Sequence, residues 1–260
     1  MSEKKSRERT QKMREEMAVA ARRKQRNSRI LWGLGALVVA VLVAAIIGVG
    51  VQAARKSSQD TATPTGAVVP PAGAAKDGSI AVGDPKPDAP VVDLYFDYMC
   101  PVCGNFEKVN GADLTKLVES GDINLHMHPL AFLDPNSDGT HYSTRAANAF
   151  ATVVDKDPEH AFAFHQALYA NQPEEGSKGL SDEEIAQVAK DAGVSQEAID
   201  AFDSGAHSAW VAKMTKTAFD PKGGGVTGTP TIKINGEVWD GDWITEGNFL
   251  KAVEQAGAPS

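Results

Sequence analysis

The feature that most constrains this chain is an uncharged apolar run of 22 residues at positions 30–51. As an α-helix rising about 1.5 Å per residue, it would be roughly 33 Å long, enough to cross a hydrocarbon core about 30 Å thick. The 29 residues before it carry 11 Lys or Arg and 4 Asp or Glu. Because basic flanks stay in the cytoplasm, the run predicts a single-pass cell-membrane protein with a cytoplasmic N-terminus and the rest of the chain outside.

A cleaved signal peptide is the alternative interpretation of this run, because residues 51–53 form a small-x-small cleavage sequence. The apolar segment of a signal peptide is usually about 7–15 residues long, so the length of the run favours an uncleaved anchor. Both interpretations imply that the remainder of the chain, residues 52–260, is exported. That remainder carries 15 basic and 30 acidic side chains. A net charge this negative repels phosphate backbones, so we expect no nucleic-acid partner.

Composition divides the chain into four predicted segments. Residues 1–29 form a basic cytoplasmic tail, and residues 30–51 form the transmembrane helix. Residues 52–87 are rich in Ala, Pro and Gly and have too few large apolar side chains to form a core, so they predict a flexible linker. Residues 88–260 have the length and composition of one folded domain.

The domain begins with a strand, a helix and a second strand. β-Branched and aromatic residues at 91–96 predict the first strand, and apolar residues at helical spacing follow from Pro101. Residues 123–129 predict the second strand. From about 140 to 220 the pattern is helical throughout, and then Asn-Gly between two short alternating runs predicts a β-hairpin before a last helix. This order predicts an α/β domain with an all-helical insertion.

The chain has two cysteines, Cys100 and Cys103, which lie between the first strand and the first helix. A structural disulfide over such a short loop gains little stability. A zinc site needs about four ligands, which His126 and His128 on the second strand would have to complete. A redox pair fits better, because the helix dipole and free backbone N–H groups stabilise a thiolate at a helix N-terminus. We therefore expect Cys100 to be the reactive thiolate and Cys103 the resolving thiol, with no metal.

Two motifs together carry a family resemblance. The first is Cys-Pro-Val-Cys at 100–103 after a strand, and the second is Gly-Thr-Pro-Thr at 228–231 before the Asn-Gly hairpin. With a helical block between them, they resemble the DsbA-like thiol–disulfide oxidoreductases of bacteria over residues 90–256. The resemblance implies a thioredoxin fold with an all-helical insertion. It also implies a cis peptide bond before Pro230 and a Thr229 that presents its backbone to a client protein.

The resemblance also marks the residues around the pair as active-site or substrate-binding residues. These site residues are Pro101, Val102, Asp97, Thr229 and Pro230. Family members commonly carry a buried acid six residues before the nucleophile, and this chain has Leu94 there. Asp97 matches the family pattern Asp-Tyr-x-Cys-Pro, but the pattern leaves open whether it replaces the missing acid in proton transfer or only organises the turn.

We expect an extracytoplasmic oxidase that introduces disulfides into reduced exported proteins and is re-oxidised by a membrane partner. A reductase or isomerase is an alternative, because the reduction potential decides the direction of exchange. A redox-inactive anchored chaperone or interaction module is an alternative of another class, although the intact cysteine pair argues against it. Val102 donates no hydrogen bond to a thiolate and so predicts a mild oxidant. The sequence has no phosphate loop or dinucleotide fingerprint, so no cofactor is expected.

Overall fold

The computed structural model describes residues 66–222 and 225–257. The predicted cytoplasmic tail, the predicted transmembrane helix and most of the predicted linker lie outside these residues. Within the two described ranges, no helix is both long enough and apolar enough to span a bilayer.

The described strands form one mixed sheet. They are β1 Ile80–Val82, β2 Val91–Phe96, β3 Asn124–Pro129, β4 Thr231–Ile234 and β5 Glu237–Val238. Their order across the sheet is β1-β3-β2-β4-β5. The pair β2–β3 is parallel, and the other three pairs are antiparallel. Every second side chain of β2 is buried, as the β-branched and aromatic sequence of this strand predicts.

Helices cover the sheet and fill the segment between β3 and β4. They are α1 Pro101–Ser120, α2 Tyr142–Lys156, α3 Ala161–Ala170, α4 Asp182–Asp191, α5 Gln196–Asp200, α6 Ser208–Ala218 and α7 Asn248–Ala256. Helices α2 to α6 form the predicted helical insertion. Helix α4 begins with a capping box, in which the Ser181 hydroxyl accepts from the Glu184 backbone N–H and the Glu184 carboxylate accepts from the Ser181 N–H.

The folded unit begins earlier than the predicted boundary at residue 88. Strand β1 lies inside the segment 52–87 that we expected to be a flexible linker, and it pairs with β3 with Ile80 opposite Met127. The Ile80 side chain is almost completely buried. The prediction is therefore wrong for this part of the segment. A strand of only three residues is too short to show an alternating pattern against an Ala- and Gly-rich background.

The topology brings two loops to one edge of the sheet. Four residues separate the end of β2 from the start of α1, so the cysteine pair lies beyond the C-terminal end of β2. Strand β4 runs antiparallel to β2, with Thr231 opposite Tyr95. The loop that precedes β4, with Thr229 and Pro230, must therefore lie beyond the same end of β2.

An aromatic cluster joins this edge to the helical insertion. Phe96, at the end of β2, packs edge-on against Tyr98 with 5.2 Å between ring centroids. It also packs edge-on against His165 of α3 at 4.7 Å. Phe150 of α2 contacts the same cluster, 6.1 Å from Phe96. These rings are buried, so the insertion forms one wall of the core directly behind the cysteine pair.

Candidate active site

Cys100 lies at the N-terminus of α1. Its backbone is extended, with φ −73° and ψ 114°, and Pro101 occupies the first helical position. Proline suits this position because the first N–H groups of a helix have no partner within the helix. The Cys100 sulfur is mostly buried, and in its protonated form the thiol donates to the Thr229 carbonyl oxygen at 3.3 Å. The two predicted motifs therefore meet at a single hydrogen bond.

The environment of Cys100 favours its thiolate. The pKa of this thiol falls from 9.0 to about 6, mainly because the Cys103 thiol donates a hydrogen bond to the Cys100 sulfur. Burial opposes this effect, while the backbone N–H groups of Val102 and Cys103 add to it. At neutral pH a thiol with this pKa is mostly ionised, and the thiolate is the nucleophilic form.

Cys103 has the opposite character. Its side chain is 1% exposed, and burial raises its pKa well above 9.0. The hydrogen bond that it donates to Cys100 raises its pKa further, because the proton is held between the two sulfurs. Both cysteines are buried free thiols, and they differ in the direction in which their pKa values are shifted. This asymmetry is what a nucleophile and a resolving thiol require.

The other predicted site residues lie next to Cys100 in the chain or in the loop that contacts it. The peptide bond between Thr229 and Pro230 is cis, as the family resemblance implied. Both residues are partly buried, while Pro101 is exposed. The Val102 side chain is 46% exposed.

Asp97 is placed differently from the other predicted site residues. It is fully buried, and its carboxylate accepts hydrogen bonds from the Met99 N–H, the Leu133 N–H and the Ser143 hydroxyl at 2.8, 2.8 and 2.6 Å. Burial raises the pKa of this carboxyl to about 7, against the effect of these three donors. Its side chain is buried and therefore does not line the surface beside Cys100. Its hydrogen bonds organise the turn that leads into Cys100.

Two residues of α3 and the loop after it complete the site, and the sequence pattern did not indicate them. The Gln172 amide donates to the carbonyl oxygens of Tyr98 and Cys100 at 3.1 and 2.9 Å. The Tyr169 hydroxyl donates to the Asp97 carbonyl oxygen at 3.0 Å. Both side chains brace the loop from the helical insertion. In the sequence, Tyr169 is one of many residues in the predicted helical segment, and Gln172 has no distinguishing signal.

In the described residues, Cys100, Cys103, His126 and His128 do not form the metal-binding cluster that the zinc alternative requires. His128 Nε2 lies 2.9 Å from Asp93 Oδ1, and the His128 ring stacks on Tyr95. His126 Nδ1 lies 3.6 Å from the same carboxylate oxygen. Among the described residues, the metal-type side chains that lie close enough to share an ion are Asp157, Glu159 and His160, and neither cysteine belongs to that group.

Comparison with known proteins identifies relatives of this chain. Residues 75–255 match the thioredoxin family. The chain is 30% identical over 158 residues to the serine/threonine-protein kinase PknE of Mycobacterium tuberculosis, and this alignment covers 59% of the chain. It covers only 27% of the kinase, so the chain spans about a quarter of the length of this curated relative.

Solved structures with the same fold cover most of the domain. The reduced disulfide oxidoreductase DsbG of Mycobacterium tuberculosis is 28% identical, with a TM-score of 0.60, over 72% of this chain and 90% of that one. Reduced DsbA of the same organism is 28% identical, with a TM-score of 0.59, over 70% and 93%. The thiol–disulfide oxidoreductase MdbA of Corynebacterium diphtheriae is 27% identical, with a TM-score of 0.58, over 76% and 97%. The chain belongs to the thioredoxin family, and its described residues form a DsbA-like domain of the protein disulfide oxidoreductase type.

Proposed function

We propose that this chain is a membrane-anchored, extracytoplasmic oxidase that introduces disulfides into reduced exported proteins through Cys100 and Cys103. The observation that carries the proposal is that the environments of the two thiols shift their pKa values in opposite directions. The pKa of Cys100 is about 6, whereas burial keeps the pKa of Cys103 well above 9.0. A stabilised Cys100 thiolate favours the reduced protein, and a protein that favours its own reduced form oxidises its client.

The reaction balances in two exchange steps. In the first, a client thiolate attacks the Cys100 sulfur of the Cys100–Cys103 disulfide. A client–Cys100 bond forms, the intramolecular bond breaks, and Cys103 leaves with the electron pair and takes up a proton. In the second step, another client thiolate attacks the client sulfur of the mixed disulfide, and Cys100 leaves as a thiolate. The client has lost two electrons and the protein has gained them.

The surroundings of Cys100 supply the specificity of these steps. Cys100 is 5% exposed, whereas Cys103 is 1% exposed. A client thiolate can therefore reach only one of the two sulfurs. We propose that Thr229 and Pro230 hold the client backbone beside Cys100, and that the exposed Val102 contacts its side chains.

The reduced protein must be re-oxidised before it can act again. We propose that a membrane protein linked to an electron acceptor performs this step, because the chain contains no cofactor motif of its own. The uncharged run at 30–51 and its basic flank support a single-pass anchor with residues 52–260 outside the cytoplasm. Export also places the pair where disulfides persist.

A second candidate is a redox-inactive module that only binds other proteins. The similarity to part of a protein kinase favours it, because it shows this type of domain within a protein named for phosphorylation. The two candidates differ in what they require of the cysteine pair. A binding module needs neither the lowered pKa of Cys100 nor the second thiol.

The test uses the full-length protein, purified in mild detergent and oxidised. It is mixed with reduced, unfolded ribonuclease, and client thiols are counted by alkylation over time. We expect one client disulfide per oxidised protein molecule and no reaction with Cys100→Ser. When reduced Cys103→Ser is mixed instead with disulfide-bonded ribonuclease, its Cys100 thiolate should attack a client disulfide, release a client thiolate and accumulate as a mixed disulfide that no Cys103 thiol resolves. A wild-type protein that leaves the client thiols unchanged would refute the oxidase.

Location is tested separately in intact cells. A thiol reagent that cannot cross membranes should label Cys100 of the reduced wild type. The same reagent should give no label in the Cys100→Ser variant. Labelling only after cell lysis would contradict the proposed topology.

A further inference from the structure

A groove of about 610 Å³ lies between α1 and α3, next to the cysteine pair. Small residues of the two helices line much of it, namely Gly104, Gly111, Ala112 and Ala170. At the end nearer the cysteines, the Gly104 backbone N–H donates to the Cys100 carbonyl oxygen at 3.1 Å. The groove therefore begins at the active-site turn and follows α1 away from it.

Gly111 gives this groove an open position in the middle of α1. The helix continues through Gly111, although glycine is unfavourable in a helix interior. Apart from the backbone of the helix itself, an added Cβ would have two heavy atoms of the described residues within 4 Å. These are Glu107 Oε2 at 3.4 Å and Gln166 Nε2 at 3.6 Å. An atom of a bound molecule can therefore enter here and contact the Glu107 carboxylate.

The Glu107 carboxylate has one unpartnered oxygen at this position. Its Oε1 lies 3.1 Å from Nε2 of His165, which is fully buried. Its Oε2 is buried and has no hydrogen-bond partner among the described residues, and the side chain as a whole is 7% exposed. A buried carboxylate oxygen without a donor is costly. A donor that enters the groove would remove this cost.

The neighbouring side chains do not supply the donor. Gln166 Nε2 already donates to the Gly111 carbonyl oxygen at 3.1 Å and to the Thr115 hydroxyl at 2.8 Å. Lys108 also lines the groove, but it is exposed, and within the described part of the chain its ammonium group forms no ion pair with Glu107. The donor must therefore come from a bound molecule or from water.

The acceptors in the groove favour a cation that carries several N–H donors. Glu107 Oε2 is one acceptor. The Gln172 amide nitrogen is already used by the carbonyl oxygens of Tyr98 and Cys100, which leaves the Gln172 side-chain oxygen as a second acceptor. A guanidinium group carries five N–H donors in one plane and is more weakly hydrated than an ammonium group. An arginine side chain therefore leaves water for this groove at a lower cost than a lysine does.

The length of the groove fits a polypeptide that is bound at Cys100. Gly111 follows Gly104 by seven residues on α1, which corresponds to a rise of about 10 Å. An extended chain covers this distance in about three residues, at roughly 3.3 Å each. An arginine about three residues away from a client cysteine can therefore reach Gly111 while the cysteine reacts.

We propose that the groove between α1 and α3 is a specificity site for an arginine side chain of the client, which binds the Glu107 carboxylate at Gly111. The inference rests on the proposed function, because the client must be a polypeptide thiol that reacts at Cys100. The arginine takes no part in the exchange of electrons. It holds the client cysteine beside Cys100 and so raises the rate of the first exchange step. The excess of acidic side chains in residues 52–260 also attracts basic clients.

The test compares short peptides that differ in one side chain. Each peptide has a pair of cysteines that can form an internal disulfide, and an arginine, lysine or glutamine about three residues outside the pair, on one side or the other. Oxidised full-length protein is mixed with each reduced peptide, and the peptide disulfide is quantified after an acid quench. On one of the two sides, arginine should react about tenfold faster than glutamine, with lysine between them. Each rate is divided by the rate of the same peptide with oxidised glutathione, because a nearby arginine also lowers the pKa of a thiol.

Three variants assign the preference to the groove. Ala170→Trp fills the groove from α3 and should remove most of the preference for arginine. Ala163→Trp lies at an exposed position of the same helix outside the groove, and this matched control should keep the preference. Glu107→Gln keeps the size of the side chain but removes its charge, and it should also lose the preference. Because the readout is a ratio of two peptide rates, a change in basal exchange cancels.

The outcomes separate this inference from the proposed function. Equal rates for the arginine and glutamine peptides on both sides of the cysteine pair would overturn the inference and leave water as the partner of Glu107 Oε2. So would a preference that survives in Ala170→Trp and Glu107→Gln, or one that the two tryptophan variants change equally. A wild-type protein that oxidises none of the peptides would overturn the proposed function itself.

Discussion

The hydrogen bond from the Cys103 thiol is predicted to be the main cause of the low pKa of Cys100. Replacing Cys103 by a residue that cannot donate this bond should therefore raise the pKa of Cys100. The wild-type pKa of Cys100 is about 6, against an ordinary value of 9.0. This difference of about 3 pKa units corresponds to roughly 4 kcal/mol between thiol and thiolate. We expect Cys103→Ala to lose a large part of this pKa difference. Cys103→Ser should lose less of it, because serine keeps a hydroxyl donor.

The low pKa of Cys100 could come mainly from the Cys103 hydrogen bond or mainly from the helix dipole. The sizes of these two effects decide between them. A hydrogen bond to a charged group is worth about 1.5–3 kcal/mol, which corresponds to about 1–2 pKa units. The helix dipole contributes about 0.3–1 kcal/mol at an ordinary helix terminus, less than one unit. The pKa of Cys100 should therefore rise to about 7–8 in Cys103→Ala. It should stay below 9.0, because the backbone N–H groups of Val102 and residue 103 still point at the sulfur.

The assay is a pH titration of the Cys100 thiolate by its ultraviolet absorbance, repeated as the rate of alkylation by iodoacetamide. Both readouts should give the order wild type, then Cys103→Ser, then Cys103→Ala, from lowest to highest pKa. The control is Cys100→Ser, which should show no thiolate near neutral pH. If Cys103→Ala kept a Cys100 pKa of about 6, the helix terminus alone would stabilise the thiolate and our reasoning would be refuted.

Three further predictions follow from the same structure. Val102→His places a donor beside the Cys100 thiolate and should raise the reduction potential, measured in glutathione buffers; an unchanged potential would contradict this. The raised pKa of Asp97, about 7, means that its contribution to stability is full below the ordinary value of 3.8 and is lost as pH rises through 7. Urea unfolding of the oxidised protein should show this decline, and Asp97→Asn should flatten it; parallel pH profiles would count against it. Gly179 has φ +68°, and an added Cβ would lie 2.3 Å from Cγ of Tyr142. Gly179→Ala should therefore destabilise the fold by more than the roughly 1–2 kcal/mol expected for Gly176→Ala, which has a similar φ and open space. Equal losses in thermal unfolding would show that the packing against Tyr142 does not matter.

Local patterns were sufficient to predict the elements that carry the cysteine pair. Strand β2 is a run of β-branched and aromatic residues, and Pro101 marks the first position of α1. The Asn235-Gly236 turn predicted the β4–β5 hairpin, and both residues have the positive φ angles that this turn requires. The cis bond before Pro230 could not come from such patterns, because few X–Pro bonds are cis. It came from the family resemblance.

The parts of the site that the sequence did not reveal depend on contacts between distant residues. Gln172 reaches the Tyr98 carbonyl across 74 positions, Tyr169 reaches Asp97 across 72, and His165 reaches Glu107 across 58. Local spacing gives no sign of such contacts, because each of these residues is also an ordinary member of a helix or loop. The burial of Asp97 was missed for the same reason. Its donors Leu133 and Ser143 come from segments that only the fold brings together.

The reduction potential of the cysteine pair tests the central claim most directly. The full-length protein is equilibrated in glutathione buffers, and its free thiols are counted by alkylation. A disulfide donor should have a potential of about −120 to about −180 mV, the range of strong oxidants and isomerases. A value near about −270 mV, the range of thioredoxin itself, would make the protein an exported reductase. A pair that does not exchange with glutathione at all would contradict catalysis by Cys100 and Cys103.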